Sequence, residues 1–379
     1  MSISGSLSNA YSGLTAASRA AQNVSANVAN ALTPGYGRRE VSLSSTALDG
    51  NGGGVRIDGI RRIVDQLAIS NRRLADAAEQ RESLAAKGAA RLEAALGEPG
   101  TTGSLSDLVT GLETALLAAA NAPDSQSQLH STLNALQALS GKINTVTQET
   151  QNLRMDADTK IAAGVENLNA TLQNLHKLNV DIARQVASGH EPTALFDQRQ
   201  RLIDGITDLV PLKIVPREFG KVALISTGGT VLLDGRAGVF SFTESGVITP
   251  DMSLASGALS GLSLDGVAVP IGQSGGPLNG GALAAQFQLR DVTAPEISLA
   301  LDIIARDLIE RFDGPAPDTT IGALVPGLFT DAGLAFDPLK LTGLAGRLAV
   351  NSAVDPDLGG ALWRLRDGIG GSSPGPQGD

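Results

Sequence analysis

The 379-residue chain carries 29 Lys+Arg against 39 Asp+Glu, a formal net charge of -10, which argues against an extended phosphate backbone as its main partner. It contains no cysteine, and this removes disulfides, thiolate metal sites and cysteine nucleophiles. At roughly 100–200 residues per domain the length suits two or three domains, and 45 glycines with 3% aromatic residues fit long helices and thin interfaces better than one dense globule.

The start, MSISGSLSNAYSGLTAASRAAQ, has no basic n-region and no continuous apolar stretch, so no secretory signal peptide is expected. No run of ~18 apolar residues occurs, so no span of a bilayer and no membrane partner is expected. Leu7, Leu14, Ala21 and Val28 recur at heptad spacing, with Ile3, Tyr11, Ser18, Val24 or Ser25, and Leu32 between them. The seam is mostly small side chains. At ~25 cal/mol per Å² it buries too little to offset an ordering cost of ~1–2 kcal/mol per residue, which predicts a helix that orders only against partners. Pro34 and Gly35 stop that helix at about Leu32. DGNGGGVRIDGI then reads as a Gly-rich loop leading into a short extended stretch at 55–57.

Apolar spacing predicts helices over 61–96 and over 105–120, the latter with Ser104 as cap and Asp107 in its first turn. The longest signal follows. Leu129, Leu133, Leu136, Leu139, Ile143, Val146, Thr150 and Leu153 step by threes and fours, then Ile161, Val165, Leu168, Leu172, Leu175, Leu178, Ile182 and Val186 continue. The step widens between Leu153 and Val165, as in a coiled-coil stutter. A helix of about 60 residues would be ~90 Å long, a rod that suits a fibrous assembly rather than an enzyme. One more amphipathic helix is expected at 195–209. Short β-rich runs with glycine turns fill 212–271, GQSGGPLNGG reads as a linker, and a helix returns at 281–312. The remainder reads as irregular, with a candidate strand at RLAVN and a tail that is flexible by composition.

The expected fold is therefore mainly α and multidomain: a long antiparallel helical bundle or coiled coil with an inserted small β domain, and an N-terminal helix that orders on assembly. The expected domains are 1–60 (terminal helix and extended loop), 61–211 (helical bundle), 212–277 (β domain), 278–313 (returning helix) and 314–379 (irregular segment and flexible tail).

Chemistry is sparse. His130 and His176 fall on the long helix and read as surface positions, while His190 beside Glu191 has no HExxH partner. GxSxG occurs at Ser274 and Ser373, but no histidine follows either serine and neither lies between a strand and a helix. There is no GxxxxGK[ST]. DGNGGG at Asp49 resembles a calcium loop superficially, with Gly53 at a ligand position and no closing Glu. The basic pairs Arg38-Arg39, Arg61-Arg62 and Arg72-Arg73 read as solvated faces rather than a nucleic-acid footprint. No catalytic residue, cofactor, metal or nucleic-acid partner is expected.

SLSNAYSGLTAASRAAQNVSANVANALTPGYGRREV closely resembles the N-terminal segment of the bacterial flagellar axial proteins, the rod, hook and hook-associated families. Their pattern is an Asn/Ala helix running into N-x-A-N-x-x-T-x-G-Y, met here by Asn27, Ala29, Asn30, Thr33, Gly35 and Tyr36. Leu32 stands where many members carry Asn, and Gly37 where Ser or Thr is common. LFDQRQRLIDGITDLVPLKIV and GGALAAQFQLRD are similar to segments of the hook-associated family, so the resemblance covers most of residues 1–313.

The resemblance implies a structural component of the flagellum, exported unfolded through the flagellar type III channel and located in the extracellular organelle, at the junction of hook and filament. Implied partners are the hook protein, a second hook-associated protein, copies of itself in a ring, and an export chaperone. Leu7, Tyr11, Leu14, Val24, Val28 and Leu32 would pack against neighbouring subunits, with Asn27, Asn30, Thr33, Pro34, Gly35 and Tyr36 forming the turn. Members end in a second Asn/Gln-rich helix that pairs with the first and whose region the chaperone holds. No such helix is found here, so a truncated product is expected. Alternatives are another axial component, against which the long coil argues, and an exported wall hydrolase, for which no acid, base and nucleophile come together.

Overall fold

The computed structural model describes residues 3–48, 51–272, 276–314, 317–322 and 325–376. Helix α1 (Ile3–Ala29) stops short of Leu32, because consecutive turns take over, with Thr33 N donating to Asn30 O at 2.9 Å and Tyr36 N to Thr33 O at 3.2 Å. The chain then forms an antiparallel ribbon of β1 (Arg38–Leu48) and β2 (Asn51–Ile63). Two expectations are corrected here. Extended structure is not confined to 55–57, and the next helix does not start at Arg61. RREVSLSSTAL is largely polar, so an isolated two-stranded ribbon that buries no broad face left no apolar alternation to read. Helix α2 (Gln66–Leu96) begins where the Asp65 carboxylate accepts from Leu67 N at 2.9 Å and Ala68 N at 3.0 Å.

Helix α3 (Leu105–Asn121) has the expected cap: Asp107 N donates to Ser104 Oγ at 3.2 Å, and the Asp107 carboxylate accepts from Gly103 N at 2.9 Å. Helices α4 (Gln126–Ala187) and α5 (Thr193–Thr207) follow. Strands β3 (Leu212–Pro216), β4 (Val222–Ser226), β5 (Val231–Asp234) and β6 (Arg236–Ala237) make one antiparallel meander, and β7 (Phe240–Ser241), β8 (Ser263–Leu264) and β9 (Val267–Ala268) a second. The returning helix is α6 (Gly281–Gln288), a π turn (Leu289–Thr293) and α7 (Ala294–Arg311). After it come β10 (Phe329–Asp331), α8 (Leu344–Arg347), β11 (Leu348–Val350), which pairs with β10, and α9 (Arg364–Asp367).

Two compact units form from interleaved stretches. The first comprises Met1–Glu82, Ala162–Phe242 and Gly261–Ala285, and the second Ser83–Ile161, Thr243–Ser260 and Gln286–Asp379. The architecture is the mainly helical one with small inserted sheets, but the units are not consecutive segments, and Thr243–Ser260, within the β-rich region, belongs to the second unit.

In the first unit, asparagine amides dock strands onto helices. Asn179 of α4 donates to Val222 O at 2.8 Å and accepts from Val222 N at 3.3 Å, and Asn169 makes the same two bonds to Phe240, both at 2.8 Å. A side-chain amide here replaces the missing strand neighbour and pairs both backbone groups of Val222 and of Phe240.

In the second unit, Leu133, Leu136, Leu139, Ile143 and Val146 of α4 share a core with Leu301, Ala305 and Ile309 of α7 and with Phe329, Leu344, Leu348 and Val354. Residues 314–379 are therefore not merely irregular: their described part supplies much of this core, down to Ile369. Its apolar residues sit on separate short elements, so no single period revealed them. The Asp302 carboxylate pins this stretch by accepting from Gly343 N and Ala345 N, both at 2.8 Å.

Where the apolar step of α4 widens, the buried face takes in charge. Arg154 donates to the carbonyls of Met252 at 2.6 Å, Thr249 at 3.2 Å and Arg290 at 3.2 Å. Arg290, carried on the π turn, pairs with Asp158 at 2.5 Å and Asp291 at 2.8 Å, and the second Asp158 oxygen accepts from Ser245 N at 2.6 Å. Ala157 and Ile161, both buried, fill the step with fours. The widening thus leaves room for a hydrogen-bonded ionic centre that fixes Thr243–Ser260.

Candidate assembly surface

Helix α1 has its polarity reversed. Its sheltered side presents Ser12, Ala16, Asn23, Ala26 and Asn27, of which Ala16 is buried and the others half-buried. Its large apolar side chains lie outside: Leu7 is 69% exposed, Tyr11 72%, Leu14 69%, Val24 60%, Val28 73% and, just past the helix, Leu32 96%. The intrachain partner of the small-residue side is the ribbon. Val55 N donates to Ser12 Oγ at 3.1 Å, while Ser12 Oγ donates to Asn9 O at 2.9 Å. Gly54, at φ +94°, permits that approach, since a Cβ there would collide with Ser12 Oγ.

The turn residues divide into those that hold the helix and those that do not. Asn27 docks β1 by the amide device seen in α4: its Nδ2 donates to Arg39 O and its Oδ1 accepts from Arg39 N, both at 2.9 Å. Tyr36 Oη donates to the same Oδ1 at 2.9 Å, and the Arg39 guanidinium lies 4.9 Å from the Tyr36 ring centre. Asn30 donates to Ala26 O at 2.9 Å and accepts from Thr33 Oγ1 at 3.2 Å. Gly35, at φ +77°, passes beside Arg201, where a Cβ would collide. Pro34 is exposed and limits Thr33 through its ring alone.

A carboxylate that the motif does not contain locks this turn in place. In the ribbon Arg39 stands directly opposite Arg62, a pairing of like charges that is unfavourable by itself. Asp197 of α5 resolves it, with Oδ2 accepting from Arg39 at 3.1 Å and Oδ1 from Arg62 at 2.6 Å and from Gly37 N at 3.0 Å. Gln200 also accepts from Arg62. About two turns further along α5, Asp204 pairs with Arg72 at 2.9 Å and Arg73 at 2.6 Å. The reading of the basic pairs as solvated faces is therefore corrected: Arg39, Arg62 and Arg73 turn inward to α5, while Arg38 and Arg61 remain outside. Spacing could not show that a carboxylate more than a hundred residues away would meet them. LFDQRQRLI did carry the relevant residues, Asp197 and Gln200.

Gly37 acquires a reason as well. Its N–H serves Asp197, and a Cβ would run into the Arg62 side chain, so the small residue suits the place. Among the described residues no three His, Asp or Glu gather to hold a metal, and no helix is long and apolar enough to cross a membrane. Ser274 and Asp49 lie outside the described residues, and Gly53 is part of β2.

Residues 89–314 match the family described as the flagellar hook-associated protein FlgK helical domain, which is more than half of the chain. The chain belongs to that family. Among relatives of this FlgK family, flagellar hook-associated protein 1 of Bacillus subtilis is 28% identical over 240 residues, covering 60% of this chain and 47% of that protein. Flagellar hook-associated protein 1 of Salmonella typhimurium is 27% identical over 244 residues, covering 62% and 43%. The structure of the flagellar hook junction protein FlgK from Burkholderia pseudomallei shares the fold, with a TM-score of 0.53 at 18% identity over 70% of this chain and 47% of that one. The chain spans about half the length of the curated relatives it matches.

Proposed function

We propose that this chain is a structural, non-enzymatic subunit of the extracellular bacterial flagellum that joins hook to filament. The observation that carries the reading is the row Leu7, Tyr11, Leu14, Val24, Val28 and Leu32, left exposed on a helix whose opposite side is held to its own ribbon. Soluble monomers seldom present such a row unless another surface covers it. Copies of the chain, arranged in a ring, supply that surface, with the hook protein on one side and a second hook-associated protein on the other. Support comes from the relatives, whose names place them at the hook, and from the neighbour named as a junction protein. Passage through the flagellar export channel follows from the same assignment: a helix with so thin an inner seam unfolds readily, and it gains stability when neighbours bind its outer face. A cytosolic export chaperone completes the set of partners.

The test is Leu14→Asp. The substitution is expected to abolish incorporation into flagella while changing unfolding free energy by less than about 0.5 kcal/mol, because the side chain is exposed in the free subunit. Normal junctions assembled from the variant would refute the packing role. Electron microscopy of cells lacking the gene is expected to show complete hooks without filaments, with flagellin in the medium. Missing hooks would move the protein earlier in the axis.

A further inference from the structure

Beside the Asp197 centre, and wholly within the first unit, lies a cavity of 410 Å³. Its wall includes Arg62, Arg73, Arg199, Arg217 and Lys221, and no Asp or Glu. Three of these cations form ion pairs, Arg62 with Asp197, Arg73 with Asp204 and Arg217 with Asp234. Among the described residues, Arg199 and Lys221 form no ion pair within 4 Å, and Lys221 acts only at longer range on Asp234, which Arg217 already pairs.

Arg199 is the informative one. It is half-buried, stacked 5.0 Å from the Phe196 ring centre, and donates to Gly220 O at 2.6 Å. Burial, together with the charges of Arg62 and Arg73, pushes it down to about 10, so it stays protonated at neutral pH while bearing an uncompensated cost. A guanidinium has five N–H donors in a planar fork matched to two oxygens of an oxyanion. Leu212, Ile214 and Val222 form an apolar wall that keeps the dielectric low, which strengthens any charge pair made there.

We propose that this cavity is an oxyanion site that takes a carboxylate or phosphate group, with Arg199 as its principal donor and Lys221 supplying the second cation that has no ion pair. The oxyanion comes either from a small free anion or from an acidic side chain of a second copy, whose net charge of -10 offers many.

The experiment is calorimetric titration of the full chain with inorganic phosphate and with succinate, chloride being adjusted to hold ionic strength constant so that general screening does not change. Saturable binding is expected, weakened roughly tenfold or more in Arg199→Gln, since a hydrogen-bonded charge contact of ~1.5–3 kcal/mol is lost. Lys221→Ala is expected to weaken binding severalfold with circular dichroism unchanged, and it decides the matter if Arg199→Gln does not fold. Absence of saturable binding, or equal affinity in wild type and variants, overturns the site. The source is then read by sedimentation velocity. Phosphate that dissociates associated copies of the wild type, but not of Arg199→Gln, identifies a neighbour's carboxylate, whereas unaltered association with intact binding identifies a free anion. Loss of this site would leave the role of the α1 face standing, because none of its residues line the cavity.

Discussion

Helices α1 and α4 have nearly the same apolar spacing and opposite fates. Along α4, Leu136, Leu139, Ile143, Leu168, Leu172, Leu175 and Ile182 are sealed from solvent. Along α1, Leu7, Leu14 and Val28 stand in it, and the side facing the protein is made of Ser, Ala and Asn. A repeat of threes and fours identifies a face, and it does not identify what covers that face. What separates the two helices is the partner. For α4 the chain supplies its own leucines and isoleucines. For α1 it supplies a narrow ribbon that can meet only small side chains and amides, so the large residues are left for another molecule.

The contrast breaks first under paired truncation. Leu136→Ala is expected to cost about 2–5 kcal/mol in urea unfolding of the full chain, the usual range for a buried leucine whose site cannot collapse. Leu14→Ala, the same chemical change on α1, is expected to cost no more than about 0.5 kcal/mol. Similar losses at both positions would mean that α1 already has a cover within the chain.

A smaller effect tests the inner side of α1. Asn27→Ala removes the acceptor of Arg39 N and Tyr36 Oη and the donor to Arg39 O. Each partly buried group left unpaired costs about 1–3 kcal/mol, an upper figure where water can enter. The loss is expected to appear as faster amide exchange at Arg39 and through α1, with the α4 core unaltered. Unchanged exchange in α1 would show that the ribbon, rather than the amide, retains the helix.

Much of this was legible beforehand, for a physical reason. The helices of the second unit announced themselves because their burial is periodic and their residues large, as at Leu133 to Val146. The cap at Ser104 is local chemistry, fully contained in four residues. Two kinds of feature escaped. The ribbon and the C-terminal part of the core lack a period, since Phe329, Leu344 and Val354 sit on separate short pieces. Ionic centres escaped because they are long-range: Asp197 meets Arg39 and Arg62, and Asp158 meets Arg290, through tertiary folding alone. At the surface, the row Leu7 to Leu32 could be picked out by type and spacing, whereas the lock on its turn required Asp197 to be seen in place.

The smallest expected difference between the two helices is their response to acid. Helix α1 contains no carboxylate, and its single charge is Arg19. Helix α4 carries Glu149 and Asp156, both paired with Arg91 of α2 within the second unit. The Arg91 hydrogen bond holds the Glu149 carboxyl below its ordinary value, aided by Asn152, against a contribution from burial in the other direction. Because the folded-state value is depressed, its contribution to stability is complete above the ordinary glutamate range and disappears as pH falls through the depressed value. A partly exposed pair of this kind contributes at most about 1 kcal/mol. Glu149→Gln is therefore expected to lower Tm slightly at pH 7 and to match wild type near pH 2, where the glutamate is protonated as well. Exchange along α1 should show no corresponding dependence on Glu149 at either pH, because no titrating carboxylate of its own links that helix to this range.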